Sequence, residues 1–383
     1  MYADMTRVVG TAIEVPKAGV QTGVPKIIPP IRKEPTHLLK VKRRLTVKPP
    51  IIKTGSMIGI VSPSAPAAGK FPKRFERGVK NLEAMGYDVR VSRHAKGIYR
   101  NGFTSASPED RANDVNEMFE DEHVSAILCA IGGDHSSQIL GHLDFDAIRR
   151  HPKVFQGYSD MSVLCNAIHT ETGLVTFNGP MVMTDFAEYP KMDAYTGEYM
   201  LKAWSRLAPV GRIQPAKEWT EEFIDWGGPE DGKRAKKWQQ SAGWTPQREG
   251  KAEGRLVGGC IESLEHLKGT RYWPDFDGAI LFLETSEEKP LPYKVDCILG
   301  DYENLGVFDR IAGLIVGRPM GYSAAEKQQL RDVIMERTRK YSFPIITDMD
   351  FGHTLPQFTL PIGCRASIDT SAKSFEITEA AVQ

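Results

Sequence analysis

With 383 residues, 41% of them apolar, the chain is long enough for two domains that each bury a core. Lys plus Arg equals Asp plus Glu at 49 each, so no global field draws it to nucleic acid or an anionic membrane, and neither is expected as a partner. No apolar segment is long enough to cross a bilayer, and Asp4, Arg7 and Glu14 fall where a signal peptide needs an apolar core, which predicts a cytoplasmic protein. The five cysteines (Cys129, Cys165, Cys260, Cys297, Cys364) are odd in number and widely spaced, and no C-x-x-C pair suggests a metal or redox site. They read as free thiols in a reducing compartment.

Residues 1–50 hold ten Lys or Arg against three acids, and seven prolines, and form a basic arm. From Met57 the pattern turns regular. Met57–Val61 is a short apolar strand that ends in Ser62-Pro63-Ser64-Ala65-Pro66, and Phe75, Val79, Leu82 and Met85 mark a helix stopped by Gly86. Val89 and Val91 mark a second strand. Ser107-Pro108-Glu109-Asp110 starts a helix whose face runs through Ala112, Val115, Met118 and Phe119. Val124 to Ile131 is apolar throughout, as a parallel strand covered on both faces is, and it breaks at Gly132-Gly133. A helix through Ile139 and Leu140, a strand at Val154, a helix from Ser162 to Thr172 and a strand near Val175–Phe177 follow. This alternation predicts an α/β fold with a Rossmann-like parallel sheet over residues 51–205.

Residues 206–253 are polar and proline-punctuated, and carry Trp219, Trp226, Trp238 and Trp244. Indoles gathered in a loop serve either as a stacking surface for a flat ligand or as packing between domains. Residues 254–383 return to short strands (Arg255–Val257, Ala279–Leu283, Gly313–Val316, Ile345–Thr347, Ala366–Ile368) and one strong helix from Ala324 to Arg339. This is a second α/β domain rich in sheet.

Val154-Phe155-Gln156-Gly157-Tyr158-Ser159-Asp160 joins a strand abruptly to a helix, a turn that can display a serine hydroxyl beside free backbone N–H groups. Ser159 or Asp160 could equally be a plain helix cap. A serine nucleophile needs a base and a group to orient it. Among nine histidines, His94, His123, His142, His151 and His266 sit in helical or polar contexts, whereas His135 and His353 follow strands. Glu284 arrives at the end of the apolar strand Ala279–Leu283, while Glu287 and Glu288 read as solvated. Pattern nominates Ser159, His353 and Glu284 without pairing them.

These residues coincide with a family. The chain resembles the serine peptidases that include the LD-carboxypeptidases and the microcin C self-immunity proteins. The resemblance runs from about Ile58 to Thr378 through six ordered motifs: Ile60-Val61-Ser62-Pro63-Ser64-Ala65-Pro66, Ile131-Gly132-Gly133-Asp134, Gly157-Tyr158-Ser159-Asp160, Val257-Gly258-Gly259, Leu283-Glu284 and Gly352-His353-Thr354. It implies Ser159 as nucleophile, His353 as general base, Glu284 as its orienting carboxylate, and an oxyanion hole from the N–H groups of Gly133 and Asp160. It implies a site between two domains, a homodimer, and no metal or organic cofactor. Lys217-Glu218-Trp219-Thr220 to Asp225-Trp226 resembles the immunity branch, whose loop offers aromatic residues to an adenine ring. The implied substrate is thus a small aminoacyl-nucleotide, or alternatively a murein tetrapeptide. Cys260-Ile261-Glu262 departs from the Asn-Leu pair that many members carry after the two glycines. A rival from another class is a non-enzymatic nucleotide-binding module that cradles a phosphate at Gly132-Gly133, which leaves Glu284 and His353 without a role.

Overall fold

The central strands of the first half are apolar because both of their faces are covered, and they pair side by side in one parallel sheet. The computed structural model describes residues 44–383; the basic arm expected over residues 1–50 falls largely outside them. Strands β1 (Met57–Val61), β2 (Asp88–Val91), β3 (Val124–Cys129), β4 (Val154–Gln156) and β5 (Thr176–Asn178) are parallel and run in the order β5-β4-β3-β1-β2. Helices α1 (Ala67–Lys70), α2 (Pro72–Ala84), α3 (Pro108–Glu120), α4 (Phe145–Arg150) and α5 (Met161–Thr172) lie in the crossovers. The order reverses between β1 and β3, and the loops at the carboxyl ends of such strands bound the usual ligand crevice.

The start of α3 is as expected: Ser107 Oγ accepts from the Asp110 N–H at 3.1 Å, with proline first and two acids in the first turn. The helix expected through Ile139 and Leu140 is instead a short 3₁₀ segment, Ser136–His142. It cannot run on, because Asp144 Oδ1 accepts from the N–H groups of Asp146 and Ala147 at 3.0 and 2.8 Å and starts α4 afresh. The sequence reading passes over α6 (Ala194–Trp204), which Asp193 caps through the Thr196 N–H at 2.8 Å.

The second half builds an eight-stranded sheet. In chain order its region contains β6 (Gly211–Ile213), the two-residue partners β7 (Glu218–Trp219) and β8 (Gln239–Gln240), β9 (Thr245–Arg248), β10 (Lys251–Cys260), β11 (Ala279–Glu284), β12 (Gly313–Gly317), β13 (Ile345–Met349), β14 (Leu360–Ile362), β15 (Arg365–Asp369) and β16 (Ser374–Ile377). The sheet order is β6-β16-β15-β10-β11-β12-β13-β9, with β10 to β13 parallel and antiparallel flanks. Three helices accompany it: α7 (Ile261–Leu264), α8 (Pro292–Asn304) and α9 (Ala324–Arg337). The single strong helix expected here is α9, held by a capping box of Ser323 and Glu326. It has a companion in α8, tied to it by Arg337, which donates to both Asp296 oxygens at 2.6 and 2.8 Å. Gly300 and the acids of α8 dilute its apolar face, so periodicity alone does not reveal it.

Two connections lock the halves together. β14 leaves the second sheet and pairs antiparallel with β5, Leu360 opposite Asn178 and Ile362 opposite Thr176. Helix α5 docks on β10: Asn166 Nδ2 donates to the Gly258 carbonyl at 2.8 Å, and the Cys260 N–H to Ser162 Oγ at 2.9 Å. The Val257-Gly258-Gly259 motif therefore seats the helix that begins just after Ser159. Among the described residues no helix is long and apolar enough to cross a membrane, and all five cysteines are free, four of them buried.

Candidate functional site

Ser159 sits between β4 and α5 with φ at +61°, a left-handed conformation that a non-glycine residue adopts only when its surroundings enforce it. Its hydroxyl has no hydrogen-bond partner among the described residues, and Asp160, at the N-cap, forms no side-chain cap. The plain capping alternative is therefore not what this turn does. The Asp160 carboxylate, 1% exposed, instead accepts from the N–H groups of His135 and Ser136 at 3.0 and 2.9 Å and from Ser136 Oγ at 2.8 Å. It thereby ties the loop after β3 to the turn after β4.

That loop brings Gly132 against the serine. A Cβ at position 132 would lie 2.8 Å from Ser159 Cβ, 2.9 Å from its Oγ and 3.3 Å from the Asp160 nitrogen, so only glycine lets the two turns meet. Gly133 faces the loop after β1, close to Ser64 and Ala65. Buried Arg111 braces these loops from below, donating to the carbonyls of Pro63, Ala106 and His135 and to Gln138 Oε1. The sequence reading misses it, although an arginine beside Ala112 and Val115 on an apolar helix face is the mark of a buried brace.

Glu284 ends β11 and is 1% exposed; its Oε2 accepts from His353 Nδ1 at 2.6 Å, while Oε1 has no partner. Gly352 allows this approach: its φ is +98°, and a Cβ there would lie 2.7 Å from Glu284 Oε2. The His353 ring meets the Tyr158 ring edge-on, centroids 5.1 Å apart, which puts it against the residue preceding Ser159. Glu287, read from sequence as a solvated acid, is 61% exposed yet brings Oε2 to 3.0 Å from His353 Nε2, an ion contact without the alignment of a hydrogen bond. Burial alone would lower the imidazole pKa, but Glu284 and then Glu287 outweigh it and raise it to about 10. An imidazole flanked in this way is held as imidazolium. Contact with His353 in turn holds Glu287 below the usual carboxylate range, against its own desolvation.

His135 does not join this group. Its ring stacks on Phe103 at 6.2 Å, and its contribution is the backbone N–H given to Ser64 Oγ and Asp160. Glu262, in the stretch that departs from the family, accepts from the Ser286 N–H at 3.0 Å and its hydroxyl at 2.6 Å, so it fixes the loop after Glu284. Burial pushes its carboxyl up, helped by the nearby Glu284 charge.

A cavity of about 120 Å³ opens beside His353 and Tyr158. Trp226 and Phe223 line it together with Glu188, Glu221, Glu222, Glu287 and Lys236. The Trp226 ring is held by Arg74, 4.6 Å from its centroid, and by the edge of Phe71 at 5.7 Å. Arg74 also donates to Glu188 and Asp231, both at 2.5 Å, which fastens the tryptophan loop to α2. Trp219 lies elsewhere: 9% exposed, its ring carries Arg318 and Lys327 at 4.7 Å each, and it does not line the cavity. Trp244 is buried, with Nε1 donating to Asp350 at 2.7 Å, and Trp238 borders a separate open hollow. The four loop indoles thus divide, three of them away from the His353 cavity.

The chain is similar to known proteins along most of its length. Residues 58–179 match the LD-carboxypeptidase N-terminal domain family and residues 253–368 the LD-carboxypeptidase C-terminal domain family. YocD of Bacillus subtilis, which carries a carboxypeptidase name, is 35% identical over 82% of this chain and 94% of its own. The microcin C7 self-immunity protein MccF of Escherichia coli is 31% identical over 85% of this chain and 94% of its own. The solved structure of MccF in complex with glutamyl sulfamoyl guanosine superposes with a TM-score of 0.82 at 30% identity, covering 88% of this chain and 99% of that one.

Proposed function

The chain belongs to the LD-carboxypeptidase family of serine peptidases, and on that premise we propose that Ser159, His353 and Glu284 form its catalytic triad, acting on the amide of an aminoacyl-nucleotide-like substrate. The observation that carries the reading is the buried 2.6 Å contact between Glu284 and His353 Nδ1, on an imidazole packed against the residue that precedes Ser159. Glu284 fixes the imidazole orientation and leaves Nε2 to serve as base. Ser159 Oγ attacks the amide carbonyl as His353 Nε2 takes its proton, and the developing oxyanion is met by the N–H groups of Gly133 and Asp160. The imidazolium then protonates the leaving amine. A water, deprotonated by the same nitrogen, hydrolyses the acyl-enzyme.

For the base to act, Glu287 must leave Nε2, and its exposure makes that displacement cheap. The Trp226 face supports a flat leaving group, in line with the MccF complexes with aspartyl sulfamoyl adenosine and glutamyl sulfamoyl guanosine. The family resemblance supports a cytoplasmic homodimer that needs no cofactor. The test is turnover of an aminoacyl sulfamoyl adenosine beside a murein tetrapeptide by the parent and by Ser159→Ala. The variant is expected to lose about 10⁴-fold or more of the activity while keeping its thermal transition. Equal turnover by parent and variant refutes the assignment.

A further inference from the structure

The charges around the His353 cavity do not balance once the histidine becomes a base. Four carboxylates line it, from Glu188, Glu221, Glu222 and Glu287. Glu188 is neutralised by Arg74 at 2.5 Å and Lys236 at 3.1 Å, and Glu222 by Arg234 at 3.0 Å. Glu221 has no cationic partner among the described residues; its Oε2 accepts only the Gly321 N–H, at 2.9 Å. Glu287 has one, His353, and that charge is the one a general base must give up. Behind it, buried Glu284 shares the same imidazole. A base-competent site therefore holds three carboxylates (Glu221, Glu284 and Glu287) with no protein cation assigned to them. The α-ammonium of an aminoacyl group can answer one of the two that face the cavity.

We infer that Glu287 and Glu221 select an acyl group bearing a second positive charge, a lysyl- or arginyl-type side chain, and that this cation draws Glu287 off the His353 nitrogen. This rests on the amidase reading above and sets the chain apart from MccF, whose solved complexes hold glutamyl and aspartyl compounds. An anionic side chain would be repelled here by two carboxylates, whereas a cationic one converts the stopper on the base into a substrate contact. The cavity supplies a second recognition element in the same place: Phe223, its ring centroid 5.9 Å from that of Trp226, offers apolar surface to the methylene stem of such a side chain beside the indole left to the leaving group.

The experiment compares kcat/KM for lysyl and glutamyl sulfamoyl adenosine, which share a leaving group, in the parent, Glu287→Gln and Glu221→Gln. The parent is expected to prefer the lysyl compound by about tenfold or more, and each variant to cut that ratio by about fivefold. A ratio is insensitive to loss of folded protein, so a merely structural effect leaves it unchanged. A parent that hydrolyses the glutamyl compound as well or better overturns the inference and leaves the amidase standing, as do variants that keep the parent ratio. No turnover of either compound or of a murein tetrapeptide overturns the amidase reading itself.

Discussion

Replacing Glu287 by Gln removes one of the two carboxylates that hold His353 charged, and the consequence for catalysis can be worked from the distance. Two unit charges 3.0 Å apart interact by about 5.5 kcal/mol at an effective dielectric of 20 and by about 1.4 kcal/mol in water. The side chain is 61% exposed, so the watery end applies, which is about one pH unit. Glu284 and Tyr158 also face the ring; Glu284 remains as the charged neighbour, while burial pushes the Tyr158 phenol up and keeps it neutral. In the parent, with the imidazole raised to about 10, the base form accumulates only on the alkaline side and kcat/KM climbs with pH. In Glu287→Gln the imidazolium is less stabilised, its pKa falls, and the rising limb moves about one pH unit toward acid. The assay is a pH profile of kcat/KM on alanyl sulfamoyl adenosine, whose side chain carries no charge. The stability sign is the opposite: a raised histidine pKa contributes stability fully present below about 6.5 and lost as pH rises through about 10. The variant therefore melts slightly lower at neutral pH while working at lower pH. A limb that stays put or moves to higher pH refutes the reasoning.

Gly132→Ala pushes a methyl onto Ser159, and kcat/KM is expected to fall about 100-fold with the fold retained, read by turnover beside circular dichroism. Asp160→Ala keeps the backbone N–H assigned to the oxyanion but strands the donors of His135 and Ser136; a loss of about 2 kcal/mol in urea unfolding and a fall in kcat rather than a rise in KM are expected. Arg74→Ala removes the guanidinium shared by Glu188, Asp231 and the Met183 carbonyl; Lys236 and Arg77 still pair the two acids, so a loss of about 2 kcal/mol is expected. The same change frees the tryptophan loop, so limited proteolysis is expected to cut near Trp226 before the rest of the chain.

Strands and helices of the first half were legible because burial on both faces writes itself as unbroken apolar runs, as in Val124–Cys129 and Val154–Gln156. Ser159 was legible as a candidate from the abruptness of its turn, and its partners from their places at strand ends. Their pairing was not, since β11 and the segment after β13 meet the turn through tertiary packing that no local spacing encodes. Glu287 reads as merely solvated for a related reason: an exposed side chain in a polar loop looks solvated until the fold puts a histidine beside it. The tryptophans show the limit of composition. Four indoles in one loop look like one surface, and the structure sends Trp219 and Trp244 into packing and leaves Trp226 at the His353 cavity. The shortest strands, β7 and β8, have two residues each, too few for alternation to register.

The crossing of β14 into the first sheet sets a schedule for the ribosome. Leu360–Ile362 closes the open side of β5, so the sheet that presents Ser159 is bordered by an unpaired strand until Ile362 has emerged. Glu284 and His353 arrive during the same late interval. A nascent chain that stops short of His353 therefore holds the serine turn without its base, and a naked strand edge in place of its last neighbour: hydrolytic competence and protection from aggregation are acquired together, once the segment from His353 to Ile362 is made.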